Sequence, residues 1–262
     1  MVKSEEQRIS SRTNLRGMAG LVSSVLAGAC IVFALPPYSI LPLGMVAFAV
    51  LSLLLRDAAP MRALGLGYLF GLGQFVPGLF WVTESFQVDA DRFGWLALPA
   101  VLGLAAVLSV FPALACTLSA RMARAGLPLA LSLATSWTGL EWLRGHVLTG
   151  FPWNLAAYTL ADWLPFAQVA SLVGSYGLGF LLVLCSALVG LAFPAPARRL
   201  QVICFASATA IAVIVAGFGA ARLTLSDPPS ERGAHIRVVQ PNIAQSAKWD
   251  EGSRKANILR LL

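Results

Sequence analysis

Few side chains in this chain of 262 residues are equipped for chemistry, since only 12% are charged and two are histidine. Glu141 and Arg144 stand three apart, near enough on one helix face to form an ion pair. That pair reads equally well as a helix end at an interface or as the frame of a site. Asp89-x-Asp91 has the form of the carboxylate pair with which sugar-nucleotide transferases hold a divalent cation, but such pairs are common in solvated loops, and a loop is the reading taken here. Gln74 sits in a long apolar run and reads as a helix-to-helix hydrogen bond. Gly71, Gly73 and Gly78 read as close helix packing, because no strand precedes them to make a phosphate loop. Cys30, Cys116, Cys185 and Cys204 lie inside apolar runs without Cys-x-x-Cys spacing or a neighbouring histidine, so they read as small apolar filler.

The most unusual stretch is residues 145–163, with Thr149-Gly150-Phe151-Pro152-Trp153-Asn154 followed by Tyr158 and Trp163. It is too polar to span a bilayer and too apolar for a free loop. Two readings stay open. Trp and Tyr anchor chains at headgroup level; alternatively, a re-entrant or interfacial loop forms a mouth through which a lipid chain leaves the bilayer.

The elements that must position these residues follow from composition. Hydrophobic residues make up 58% of the chain, against the roughly 45–50% apolar and about 25% charged usual in soluble domains. A water-soluble enzyme is thereby excluded, and the class is polytopic α-helical membrane protein. The net charge of +7 comes from basic residues clustered between apolar runs, as orientation signals are, so no nucleic-acid partner is read from it.

A crossing helix needs about 20 apolar residues. Residues 17–55 carry no charge, but Pro36-Pro37-Tyr38 divides them into spans over 18–35 and 39–55. Further spans are predicted at 63–83, within 93–120, at 127–143, within 166–193 and at 200–221, about seven in all. Lys3, Arg8, Arg12 and Arg16 fall on one side together with Arg56, Arg62, Arg121, Arg124, Arg198 and Arg199; the opposite connections carry only Arg92 and Arg144 among their acids. The N-terminus is therefore expected in the cytoplasm and the C-terminal tail outside.

Four regions result: a basic tail over 1–17, a membrane domain over 18–221, a linker over 222–232, and a soluble stretch over 233–262. In the last, residues 235–240 read as a strand and 253–262 as a helix start. A single strand and helix is the opening of a βαβ unit that lacks its second strand. At about 40 residues the tail is near the size below which domains seldom fold alone, so the chain is expected to be the front part of a longer protein.

Several blocks resemble apolipoprotein N-acyltransferases, bacterial inner-membrane enzymes. Leu35-Pro36-Pro37-Tyr38 resembles that family's first turn, and Gly71-x-Gly73-x-Phe75-x-x-Gly78-x-x-Trp81-Val82 its third span. Glu141-Trp142-Leu143-Arg144-Gly145 with Leu148-Thr149-Gly150-Phe151-Pro152-Trp153 is the most specific block. Gln240-Pro241-Asn242-Ile243-x-Gln245-Ser246-x-Lys248-Trp249 is similar to the start of the family's nitrilase-like domain. The resemblance implies a membrane domain followed by the first β-α unit of an incomplete α/β/β/α nitrilase-like domain. It implies acyl transfer in two steps: a cysteine thiolate takes an acyl chain from a phospholipid as a thioester, and the amino group of a lipoprotein's diacylglyceryl-cysteine then accepts it. The family's glutamate base, oxyanion-stabilising lysine and cysteine fall beyond residue 262, so this chain is expected to carry no catalytic residue and to be inactive alone. Trp153 and Trp249, and with them Glu141 and Arg144, are carried over as substrate-binding residues. The implied partners are a phospholipid acyl donor, a diacylated apolipoprotein acceptor and membrane lipids; no cofactor and no metal is implied. The alternative is a seven-span transporter or scaffold, a class that usually brings internal repeats and mid-span charges.

Overall fold

Prolines set most helix boundaries. The computed structural model describes residues 2–193, 197–225, 237–244, 248 and 252–260, and the side chains of all of these except 2–16 and 254. Helix α1, Val2–Ala34, stops where Pro36 and Pro37 remove backbone donors. Helix α2, Leu41–Leu55, and α3, Pro60–Gly78, each open with a proline in the first turn, where a missing N–H leaves nothing unpaired. The third predicted span ends early. Pro77 breaks the hydrogen-bond ladder, α3 stops at Gly78, and the chain continues as 3₁₀ turns over Phe80–Asp89, a short α4 at Ala90–Phe93, and a 3₁₀ turn at Gly94–Leu96.

The fourth predicted span is two helices, α5 at Ala97–Leu108 and α6 at Val110–Met122. Pro112 has no N–H to return to the Leu108 carbonyl, and at the junction Ser109 Oγ donates to the Ala105 carbonyl at 2.6 Å. Helix α7, Gly126–His146, is unbroken. The sixth span comprises a single turn, α8 at Leu164–Ala167, and α9 at Ala170–Ala192, which is interrupted by non-helical Gly174. Helix α10, Arg198–Leu225, runs past the predicted boundary, so residues 222–225 are its last turn and not the start of a linker; the rest of that linker lies outside the described residues.

The predicted strand is not found. Residues 235 and 236 are outside the described residues, Arg237–Gln240 are irregular, and no strand occurs among the described residues. A strand without a partner has no ladder to hold it. The helix predicted at 253–262 is present as α11, Arg254–Leu259.

Packing closes a circuit: α1 lies on α2 and α3, α3 on α6, α6 on α7, α7 on α9, and α9 on α2, with α10 outside against α8 and α9. At its centre Phe48 of α2, Phe70 of α3 and Trp137 of α7 meet, with centroids 4.9 to 5.8 Å apart. The two edge contacts that Trp137 makes there add about 0.5–1.5 kcal/mol each beyond burial. Lipid offers helices no hydrophobic drive to associate, so close packing through small residues substitutes for it. Gly28 of α1 faces the Phe70 carbonyl of α3 while Gly73 of α3 faces the Val25 carbonyl of α1, so closely that a Cβ on either would collide with backbone. Outward faces carry Val107, Leu114, Leu131 and Ile214, all exposed. Four helical stretches among the described residues, Gly17–Ala34, Phe80–Met122, Ala170–Ala192 and Arg198–Leu225, are long and apolar enough to cross a membrane. The chain is a helical membrane protein.

Candidate functional site

The C-terminal end of α7 carries two ionisable groups into the interior. Glu141 is 4% exposed and Arg144 2%, whereas Trp142 and His146 turn outward and stack at 4.4 Å. Beyond Val147 the chain reverses at Gly150, whose φ of +74° favours a residue without Cβ. The turn is closed by N–H groups of Gly150 to the Val147 carbonyl at 2.9 Å and of Phe151 to the Arg144 carbonyl at 2.9 Å. The segment that follows is irregular. In a low-dielectric setting such backbone persists only where protein groups satisfy it.

Three buried side chains do this. Arg144 Nη1 donates to the carbonyls of Phe151 at 2.8 Å and Trp153 at 2.7 Å, while Nη2 lies 3.8 Å from Glu141 Oε1. Its guanidinium also stands over the Phe75 ring at 5.1 Å, adding a cation–π contact. Glu141 Oε1 accepts the Ala156 N–H at 2.9 Å. From α3, Gln74 Nε2 donates to the Asn154 carbonyl at 3.0 Å, and Asn154 Nδ2 in turn donates to the Gly78 carbonyl at 3.2 Å, capping the end of that helix. A guanidinium with five donors in a planar fork fits this task, since it grips two carbonyls and faces a carboxylate at once. The arrangement positions a loop; it presents neither an activated nucleophile nor a general base aimed at an opening.

What the loop presents is aromatic. The Trp153 ring is half-exposed and lies 5.7 Å from Trp81 and 6.4 Å from Phe151, making a shelf beside the seated backbone. At the loop's far end Trp163 Nε1 donates to the Ser39 carbonyl at 3.3 Å, and Ser39 Oγ bonds the Asp162 carboxylate, tying the loop to the turn between α1 and α2.

Glu141, Arg144 and Trp153 are thus brought together. Trp249 lies outside the described residues. Gln74 does not bond another helix through a side chain; its amide reaches the loop backbone. Asp89 and Asp91 are exposed on the turns after α3. Cys116, Cys185 and Cys204 are buried in helices and Cys30 is half-buried in α1. Asn154, Phe75 and Trp81 join the site without having been singled out as functional, and the available signal was a lone glutamine in an apolar run paired with an asparagine in an aromatic loop.

Residues 27–188, which include every member of this cluster, match the family described as the apolipoprotein N-acyltransferase N-terminal domain. Among curated relatives, an apolipoprotein N-acyltransferase of Bradyrhizobium diazoefficiens is 42% identical over 238 residues, covering 88% of this chain and 44% of that protein. Those of Rhodopseudomonas palustris and Caulobacter vibrioides are 37% and 38% identical over 260 and 245 residues, covering 93% and 92% of this chain and 47% and 45% of theirs. The chain spans about half the length of the curated relatives it matches.

Proposed function

The chain belongs to the apolipoprotein N-acyltransferase family, and from that membership we propose that it forms the membrane part of an enzyme moving an acyl chain from a phospholipid to the N-terminal diacylglyceryl-cysteine of lipoproteins. The observation that carries the reading is the buried clamp of Gln74, Glu141 and Arg144 on the loop bearing Trp153, which lies wholly within the matched residues. Glu141 and Arg144 act on substrate indirectly, by fixing the loop. Trp153, with Trp81 beside it, is the surface on which an acyl chain or its headgroup rests, and Trp249 contributes from the stretch that follows the membrane domain.

The thiolate, base and oxyanion donor come from the half of such enzymes that the alignment to this chain does not cover, in a nitrilase-like domain. Cys116, Cys185 and Cys204 support this division, because a thiol buried among apolar side chains is not activated for attack. The seven long helices among the described residues, with α5 and α6 counted as one, are read as seven crossings of the inner membrane. The N-terminus is then cytoplasmic and the C-terminal tail periplasmic. A reporter fused after Leu262 is expected to read from the periplasm, and a cytoplasmic signal would refute that topology.

The activity test uses labelled phospholipid and a diacylated lipopeptide in proteoliposomes. The 262-residue polypeptide alone is expected to transfer no acyl chain, and supplying the uncovered half of a relative as a fusion is expected to restore transfer. Turnover by the polypeptide alone would overturn the division of labour. No transfer by a correctly folded fusion would overturn the function.

A further inference from the structure

Three buried polar atoms in and beside the clamp make no hydrogen bond within the protein: Gln74 Oε1, Trp137 Nε1 and Glu141 Oε2. Their residues are 1%, 2% and 4% exposed. These three residues line one small chamber between α3, α6 and α7, together with Phe75, Phe111, Pro112, Ala115, Leu140 and Arg144, with about 10 Å³ of room for a water-sized sphere. A chamber holds a water molecule when it offers about that volume and two to four polar partners. Trp137 lies close to the Glu141 carboxylate, but its Nε1 has no acceptor at both the distance and the angle of a hydrogen bond.

The partner chemistry selects the occupant. An amide oxygen and a carboxylate oxygen accept, and an indole N–H donates. A metal cation is disfavoured by the N–H, an anion by the two oxygens, and anything larger by the volume. We propose that the chamber binds a single water molecule, which donates to Gln74 Oε1 and Glu141 Oε2 and accepts from the Trp137 N–H.

This water completes a ring. Gln74 holds the Asn154 carbonyl with its other end, and Glu141 holds the Ala156 N–H with its other oxygen. The sequence Asn154 carbonyl, Gln74, water, Glu141, Ala156 N–H therefore closes on loop residues two apart, so the two grips from α3 and α7 act as one. Trp137, which also anchors the aromatic centre against Phe48 and Phe70, joins the loop to the core through the same molecule.

The test is made on the full chain in nanodiscs with ¹⁵N-labelled tryptophan. The Trp137 indole resonance is assigned by its loss in Trp137→Phe, or by its displacement in Gln74→Leu should the first variant fail to fold. The resonance is expected to show a nuclear Overhauser cross-peak to water together with slow exchange into deuterium. A protected indole with no cross-peak to water would overturn the proposal. Independently, a structure at a resolution that shows ordered waters is expected to place one density peak within hydrogen-bond distance of all three atoms. A chamber without density, or one collapsed so that the three atoms bond each other directly, would equally overturn it.

Discussion

The inward-facing side chains at the two ends of α7 are equally buried and held in opposite ways. Over Leu129 and Leu133 the helix presents apolar side chains to the core between α6 and α9, and an apolar group of similar volume fills that space nearly as well. Two turns further on, Glu141 and Arg144 meet fixed backbone dipoles and each other, and almost no other group would serve. Burial in the first half is a matter of filling space. In the second it is a matter of matching donors to acceptors where water is excluded and an unmatched group is costly. Tolerance to substitution should therefore change abruptly within a single helix.

The sharpest test is Arg144→Leu. It leaves the Glu141 carboxylate buried and unpaired and strips two loop carbonyls of their donor. Breaking a buried pair from one side costs about 3–5 kcal/mol. Thermal unfolding in detergent should show a loss of that order, with protease cleavage appearing between Val147 and Trp163. Replacing both residues, Glu141→Leu with Arg144→Leu, should destabilise less than the single change, because no uncompensated charge remains. Arg144→Leu unfolding within about 1 kcal/mol of the parent would erase the contrast between the two halves.

The same contrast explains what the sequence makes legible. Charge-free length and flanking prolines locate the helices, because both act on the chain locally: Pro36, Pro42 and Pro60 bound the elements as their missing donors require. Pro77 and Pro112 act by the same rule, yet the predicted third and fourth spans ran through them, since hydropathy does not register a lost hydrogen bond. The Glu141 and Arg144 spacing announces a pair, but their decisive partners are the backbone groups of Phe151, Trp153 and Ala156, and backbone is identical in every residue. No side-chain pattern encodes which carbonyl a guanidinium will find. Gln74 reads as a helix-to-helix bond for the same reason: its donor and acceptor capacity is written in the chain, and the loop peptide it holds is supplied by tertiary structure.

Next in size is the contact that depends on having no side chain at all. Gly28→Val drives a Cβ into the Phe70 carbonyl where α1 crosses α3 and adds two methyl groups to a crossing with no room for one. Overpacking of this kind costs about 1–3 kcal/mol, and thermal unfolding should show it without new cleavage in the aromatic loop. That pairing of results separates a packing defect from a clamp defect. Cleavage in the loop of Gly28→Val would mean that the α1 and α3 crossing and the clamp are one unit. A smaller effect is expected for Leu133→Met in the apolar half of α7, below about 1.5 kcal/mol, because volume and polarity are both kept.

The smallest effect is expected where charge is present but nothing is matched to it. Asp89 and Asp91 are exposed on the turns after α3, so water already serves both carboxylates, and neutralising them as Asp89→Asn with Asp91→Asn removes interactions that the solvent replaces. Stability should stay within about 0.5 kcal/mol of the parent. A fusion restored to acyl transfer should keep its rate in the double variant, with or without a chelator, because the proposed chemistry runs through a thiolate and needs no cation. A large loss of rate that added magnesium or manganese rescues would instead make these carboxylates a metal site and move the chemistry to this turn. The prediction thus sets the isolated charges of the turn against the matched charges of α7: two charged groups in each case, they should differ in consequence by several kcal/mol, because only the second pair has been taken out of water.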